Sequence, residues 1–151
     1  MSLALGAQVP QFTLTNTQQE QVTTSDLAGE NFVLVFFPFA FSGICTAELC
    51  ELRNNITAFE QAGVRVFGVS NDPAFSLAAF KQQESYQFEL LSDFWPHGEV
   101  SKAFGVFDEE RGCAVRGSFL FDKTGALRWK QVNALGEARD LDGYLEAVQA
   151  L

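Results

Sequence analysis

Positive charge is scarce in this chain. Ten Lys and Arg residues stand against nineteen Asp and Glu, a formal net charge of -9 over 151 residues. No Lys/Arg cluster occurs anywhere, and phosphate contacts need one, so the charge argues against nucleic acid and against an anionic membrane surface. Long hydrophobic runs are missing too. The longest, Phe32 to Phe41, is far shorter than the ~20 residues a bilayer needs, and Pro38 interrupts it. Met1-Ser2-Leu3-Ala4-Leu5 has neither a basic stretch nor a long apolar core, so no signal peptide is expected and a cytoplasmic protein is the default. Cysteine is sparse: three residues, an odd count, are too few for a disulfide framework. No Cys-x-x-Cys pair is present, so dithiol exchange of the thioredoxin kind lacks its usual motif.

What is present describes a folded globule. Hydrophobic residues make up 47% and charged residues 19%, and the length suits a single domain over residues 1–151 with its own core. Sixteen phenylalanines supply large apolar area, and most are expected inside.

The pattern alternates strands and helices. Phe12 to Leu14, the continuous apolar run Phe32 to Phe37, Val64 to Val69 and the pair Leu90-Leu91 read as strands. Thr24 to Leu27 before Gly29 reads as a short helical turn. One helix is expected over Thr46 to Ala62, ended by Gly63, and a second after the cap Ser70-Asn71-Asp72-Pro73, running to about Glu84. Glu99 to Phe104 is a short helix. Ala114 to Phe121 and Ala126 to Val132 flank the turn Asp122-Lys123-Thr124-Gly125 as a hairpin, and Leu141 to Ala150 closes the chain as a helix. This order implies an α/β fold with a central mixed sheet flanked by helices.

One junction carries the chemistry. The buried strand Phe32 to Phe37 stops at Pro38, and after a short loop Cys45 falls where a helix begins. Unpaired N–H groups and the positive end of the helix dipole there favour a thiolate over a thiol.

Pro38, Ser42 and Cys45 form Pro-x-x-x-Ser-x-x-Cys, which resembles the active-site signature of the peroxiredoxins. Gly6 to Leu14 resembles that family's opening segment, and Arg116-Gly117-Ser118-Phe119-Leu120-Phe121-Asp122 the strand that carries its active-site arginine. Ser92-Asp93-Phe94-Trp95-Pro96-His97-Gly98 is most similar to the one-cysteine branch called alkyl hydroperoxide reductase E. The resemblance implies a thioredoxin-like fold and a thiol-dependent peroxidase without a cofactor or metal. It implies a homodimer, with hydrogen peroxide, alkyl hydroperoxides and peroxynitrite as substrates.

In that frame Cys45 is the nucleophile. A cysteine of ordinary pKa is already roughly 3% thiolate at pH 7, so full ionisation gains only about thirtyfold. Most of any acceleration must come from groups that bind the transition state. Arg116 is the candidate, as a permanent cation able to donate to sulfur and peroxide oxygen together. Ser42, one helical turn before Cys45, offers a hydroxyl to the peroxide or caps the helix. Pro38 closes the pocket. Glu48, one turn after Cys45, would disfavour a thiolate unless it pairs with an arginine. Phe39, Phe41, Phe94 and Trp95 are loop aromatics; Phe39 and Trp95 are expected at the substrate pocket, with a dimer contact or core packing as alternatives.

Cys50 departs from the one-cysteine pattern. Cys45-x-x-x-x-Cys50 matches the peroxidatic and resolving pair of the PrxQ, or bacterioferritin-comigratory, branch. In an intact helix such positions lie roughly 8–9 Å apart at Cα, whereas a disulfide needs less than about 7 Å. A Cys45–Cys50 disulfide therefore requires the helix start to unwind; the alternative is that Cys50 is a packing residue. Cys113, on a regular strand, would face away from Arg116 and read as packing. His97, the only histidine, suits a loop or pocket edge. The similarity to alkyl hydroperoxide reductase E implies mycothiol with a mycoredoxin as reductant, and the Cys50 spacing implies thioredoxin. A thiol–disulfide oxidoreductase using Cys45 and Cys50 is an alternative function. A metal-binding or redox-sensing module of Cys45, Cys50, Cys113 and His97 is another, although their spacing fits no zinc pattern.

Overall fold

The structure is a computed structural model and describes residues 3–151. Met1 and Ser2, part of the segment read above for a signal peptide, lie outside the described residues. The elements in chain order are β1 (Thr13–Asn16), β2 (Gln21–Thr23), a 3-10 turn (Thr24–Leu27), β3 (Asn31–Phe36), α1 (Gly43–Asn54), α2 (Ile56–Gln61), β4 (Val64–Ser70), α3 (Ala74–Glu84) and β5 (Glu89–Ser92). They continue with α4 (Glu99–Ala103), β6 (Phe107–Asp108), β7 (Cys113–Ala114), β8 (Arg116–Phe121), β9 (Leu127–Asn133) and α5 (Leu141–Gln149).

Seven strands form one sheet in the order β2-β1-β5-β4-β3-β8-β9. β3 and β5 run parallel to β4, while β8 and β9 add antiparallel on one side and β1 and β2 on the other. Side-chain alternation along β3 explains its unbroken apolar sequence. Val33, Val35 and Phe37 enter a core with residues of α1, α2, α3 and α5, and Phe32, Leu34 and Phe36 enter a second core on the opposite face. β8 follows the same alternation. Leu120 lies on the α1 side, Phe119 and Phe121 lie opposite, and Arg116 therefore shares the α1 face. Gly117 lets β8 approach Val106 closely; a Cβ there would stand 2.8 Å from Val106 Cγ1.

Four readings change. β2, all polar apart from Val22, carries no apolar pattern and exists by pairing with β1. The single expected helix is two. Asn55 breaks it at φ -120, its amide donating to the Glu51 carbonyl at 2.9 Å, the backbone competition that disfavours Asn in helix interiors. Asp72 does not cap α3. The Ala114–Phe121 strand is interrupted at Val115, whose N–H bonds to Val106 O, so Cys113 belongs to a separate two-stranded sheet and the regular-strand argument about its face does not apply. Among the described residues no helix is long and apolar enough to cross a membrane.

Candidate active site

Pro38 is buried at the end of β3, just after the Phe37 N–H to Val69 O bond that ends the pairing with β4. The loop that follows is fixed from two sides. Asp72 accepts the Ala40 N–H at 2.8 Å and the Ser70 hydroxyl at 2.6 Å. Phe41 takes left-handed backbone (φ 70), which costs a non-glycine residue about 1–2 kcal/mol, and its ring packs on Phe80 with centroids 5.0 Å apart. Ser42 then stands at the N-cap of α1, yet its hydroxyl makes no capping bond. That Oγ is buried without a hydrogen-bond partner.

Cys45 lies in the first turn of α1 and is fully buried. Arg116, only 3% exposed, reaches it from β8. Its Nη1 is 3.2 Å from Cys45 Sγ and donates to Glu48 Oε1 at 2.6 Å, while its Nε donates to Leu135 O at 2.8 Å. Glu48 is buried and does pair with an arginine; in fact it pairs with two. The backbone N–H of Arg139 donates to Glu48 Oε2 at 2.6 Å, and the Arg139 Nε lies 3.3 Å from Oε1. The rest of the Arg139 guanidinium donates to Gly117 O, Ser118 Oγ and Phe36 O. Ser118 Oγ also bonds to the Tyr144 hydroxyl, and burial pushes that phenol upward from its ordinary pKa. This buried cluster holds two guanidiniums and one carboxylate, with the Cys45 sulfur against Arg116 Nη1.

A cleft of about 270 Å³ opens beside Arg116, lined by Pro38, Phe39, Ser42, Ile44 and Leu135, with Arg111 also in its wall. Phe39 is in this lining and is 46% exposed. Trp95 is not in this lining; it is 82% exposed in the turn after β5. Cys50 is part-buried on α1, and its thiol donates to Glu84 Oε1 at 3.3 Å with the Tyr86 hydroxyl 3.7 Å away. All three cysteines are free thiols, and Cys45 and Cys50 sit in one unbroken α1. Burial, with the Asp108 carboxylate next, pushes the Cys113 thiol upward, which suits an inert packing cysteine. His97 Nε2 bonds to Gly112 O at 2.7 Å in an exposed loop. Among the described residues no three His, Cys, Asp or Glu side chains converge on a metal site.

The family model described as AhpC/TSA matches residues 5–130. The chain belongs to the AhpC/TSA family. Alkyl hydroperoxide reductase E of Mycobacterium tuberculosis is 42% identical over 150 residues, covering 99% of this chain and 98% of that protein. Among solved structures, AhpC of Enterococcus faecalis superposes with a TM-score of 0.91 at 24% identity, over 99% of this chain and 92% of its own. Peroxidoxin BcpB of M. tuberculosis gives 0.87 at 26% identity, over 99% and 98%. The fold of this AhpC/TSA member is thus the thioredoxin-like α/β arrangement expected from the sequence.

Arg139 is the residue that sequence reading missed. It lies in the irregular stretch between β9 and α5, where no periodicity marks a buried side chain. The one available signal was Glu48 itself, since a carboxylate facing a thiolate calls for cationic partners.

Proposed function

We propose that this chain is a thiol peroxidase in which Cys45 reduces hydrogen peroxide and alkyl hydroperoxides, with peroxynitrite as a further substrate. The observation that carries the reading is the single Arg116 nitrogen set 3.2 Å from Cys45 Sγ and 2.6 Å from Glu48 Oε1, on a side chain that also lines the cleft. The Cys45 thiolate attacks the nearer peroxide oxygen. An S–O bond forms, the O–O bond breaks, sulfur loses two electrons, and the departing alkoxide or hydroxide takes a proton from water. Cys45 becomes a sulfenic acid and the peroxide an alcohol or water. Arg116 stays charged throughout and meets the negative charge as it moves from sulfur to the leaving oxygen. The unpartnered Ser42 hydroxyl orients the peroxide, and Pro38 keeps bulk water from the sulfur.

Cys50 resolves the sulfenic acid: its sulfur bonds to Cys45 and water leaves, balancing the step. The Cys45–Cys50 spacing supports this route, which demands that the first turns of α1 unwind. Thioredoxin, or a mycothiol/mycoredoxin-type thiol, then reduces the disulfide. A one-cysteine cycle, with such a thiol attacking Cys45 directly, is the second reading. It is favoured by the engagement of Cys50 with Glu84 and Tyr86 inside an intact helix. The protein acts in the cytoplasm, as a homodimer through its exposed loop aromatics.

Intact mass after one equivalent of hydrogen peroxide, on wild type and Cys50→Ser, separates these routes. A loss of about two mass units in wild type, replaced by an oxygen adduct in the variant, supports the two-cysteine cycle. An oxygen adduct in both supports the one-cysteine cycle. No change in either within seconds rejects the peroxidase and returns the thiol–disulfide oxidoreductase.

A further inference from the structure

Two features of the loop before Cys45 run against local preference. Phe41 holds left-handed backbone, φ 70, and Ser42 stands at the N-cap of α1 without capping it, although serine is among the best N-cap residues. The Ser42 Oγ is buried with no partner, so no hydrogen bond of its own fixes where it points. Its place is set by the backbone that carries it.

That backbone has few restraints. Among the described residues the N–H groups of Phe39, Ala40 and Phe41 make no backbone hydrogen bond, and the Ser42 N–H reaches only Phe39 O, at 3.4 Å. Of the first three, Ala40 alone has a side-chain partner: its N–H donates to Asp72 Oδ2 at 2.8 Å. The same oxygen accepts the Ser70 hydroxyl at 2.6 Å.

Asp72 is itself held from the sheet. Its carbonyl accepts the Ser92 hydroxyl at 2.6 Å, and its N–H donates to Ser70 Oγ at 3.3 Å. The Asp93 N–H donates to Ser70 O at 2.8 Å, and Ser70 and Ser92 are both buried. The ends of β4 and β5 therefore fix the carboxylate, and the carboxylate fixes the loop.

We infer that Asp72 is a positioning residue for peroxide reduction, holding the Pro38–Ser42 loop so that the Ser42 hydroxyl stays uncapped and available to the peroxide. The inference rests on the peroxidase reading above and on the place of Ser42 in it. Asp72 is not in the cleft lining and acts through Ala40 on Ser42, two residues further on. Without that bond, Phe41 relaxes out of the left-handed region and Ser42 turns to cap α1. A displacement of about 1 Å at a group that orients substrate can cost as much as ~10²-fold in rate.

The test is a double-mutant cycle on the second-order rate of Cys45 oxidation by hydrogen peroxide, with the pre-reduced full chain. Asp72→Ala loses both bonds. Asp72→Asn can keep both, because they fall on one oxygen and an amide oxygen also has two lone pairs. Asp72→Glu moves the oxygen on a longer side chain, and it decides by the same comparison if Asp72→Ala does not fold. The expected result is a rate about three- to tenfold slower in Asp72→Ala, within about twofold of wild type in Asp72→Asn, and changed less than about twofold when Asp72→Ala is added to Ser42→Ala. An Asp72→Ala loss equally large with and without Ser42 overturns the inference, since Asp72 then supports the fold at large. So does an Asp72→Asn as slow as Asp72→Ala. Asp72→Ala at the wild-type rate, with Ser42→Ala slow, rejects the positioning role and leaves the peroxidase reading standing. Ser42→Ala at the wild-type rate removes the role of Ser42 and this inference with it. A wild type inert to hydrogen peroxide rejects the peroxidase and everything built on it.

Discussion

The backbone N–H of Arg139 donates to Glu48 Oε2 at 2.6 Å while the side chain of Arg116 donates to Oε1 at the same distance. One buried carboxylate thus positions the arginine that faces the sulfur and ties the segment before α5 to α1. Removing it leaves two buried guanidiniums uncompensated. Glu48→Ala should destabilise the fold by about 3–5 kcal/mol, and Glu48→Gln, which keeps one of the two acceptor oxygens, by less. Urea titration of both variants checks this order; an Ala variant as stable as wild type would contradict the cluster.

Arg116→Lys retains the charge but cannot serve sulfur, Glu48 and Leu135 O together. We expect the second-order rate with hydrogen peroxide to fall by about 10²–10³, the usual loss for a preorganised transition-state donor. Stopped-flow fluorescence measures it directly. A loss under threefold would move the catalytic role away from Arg116.

Ser42 separates stability from activity. Its buried Oγ has no partner, so Ser42→Ala removes an unsatisfied group and should leave the melting temperature unchanged or slightly raised. The same change should slow peroxide reduction by about tenfold, the worth of one hydrogen bond of roughly 1.4 kcal/mol to the substrate. A falling melting temperature with unaltered rate would mark the hydroxyl as structural.

Cys50 offers a conformational test. Its bond to Glu84, and the Tyr86 hydroxyl bond to Thr46 O, hold α1 against the C-terminal end of α3 and the segment after it. A Cys45–Cys50 disulfide must break that attachment. Amide hydrogen exchange over residues 43–52 should therefore quicken after one equivalent of peroxide in wild type and stay slow in Cys50→Ser. Equal protection in both would remove the unwinding step.

Asp122 gives a pH signature remote from the site. The Thr124 hydroxyl first, then Arg128 and two backbone N–H groups, hold its carboxyl at about 2, below its ordinary 3.8. A depressed carboxylate contributes stability above its unfolded pKa and loses it as pH falls through the folded value. Asp122→Asn should cost at most about 1 kcal/mol at pH 7, given its exposure, and the gap from wild type should close between pH 4 and pH 2. Urea midpoints across that range decide it.

The central sheet and its flanking helix layers were legible because β3, β4 and β8 carry apolar residues on both faces, and few arrangements bury such strands. The Cys45, Ser42 and Pro38 loop was legible from spacing. Arg139 and Asp72 were not, because each acts across more than thirty residues of chain: Asp72 on Ala40, Arg139 on Glu48. The place of Trp95 was not legible for the opposite reason. An aromatic in a loop carries no periodicity to say which way it faces, and this one faces solvent.

The complete burial of Cys45 has a consequence for how this thiol meets the outside world. A sulfur with no surface of its own meets a reagent only where the surrounding chain gives way, whereas Cys50 in the same helix is partly exposed. A thiol-labelling reagent is therefore expected to mark Cys50 before Cys45, whatever the two sulfurs' intrinsic reactivities.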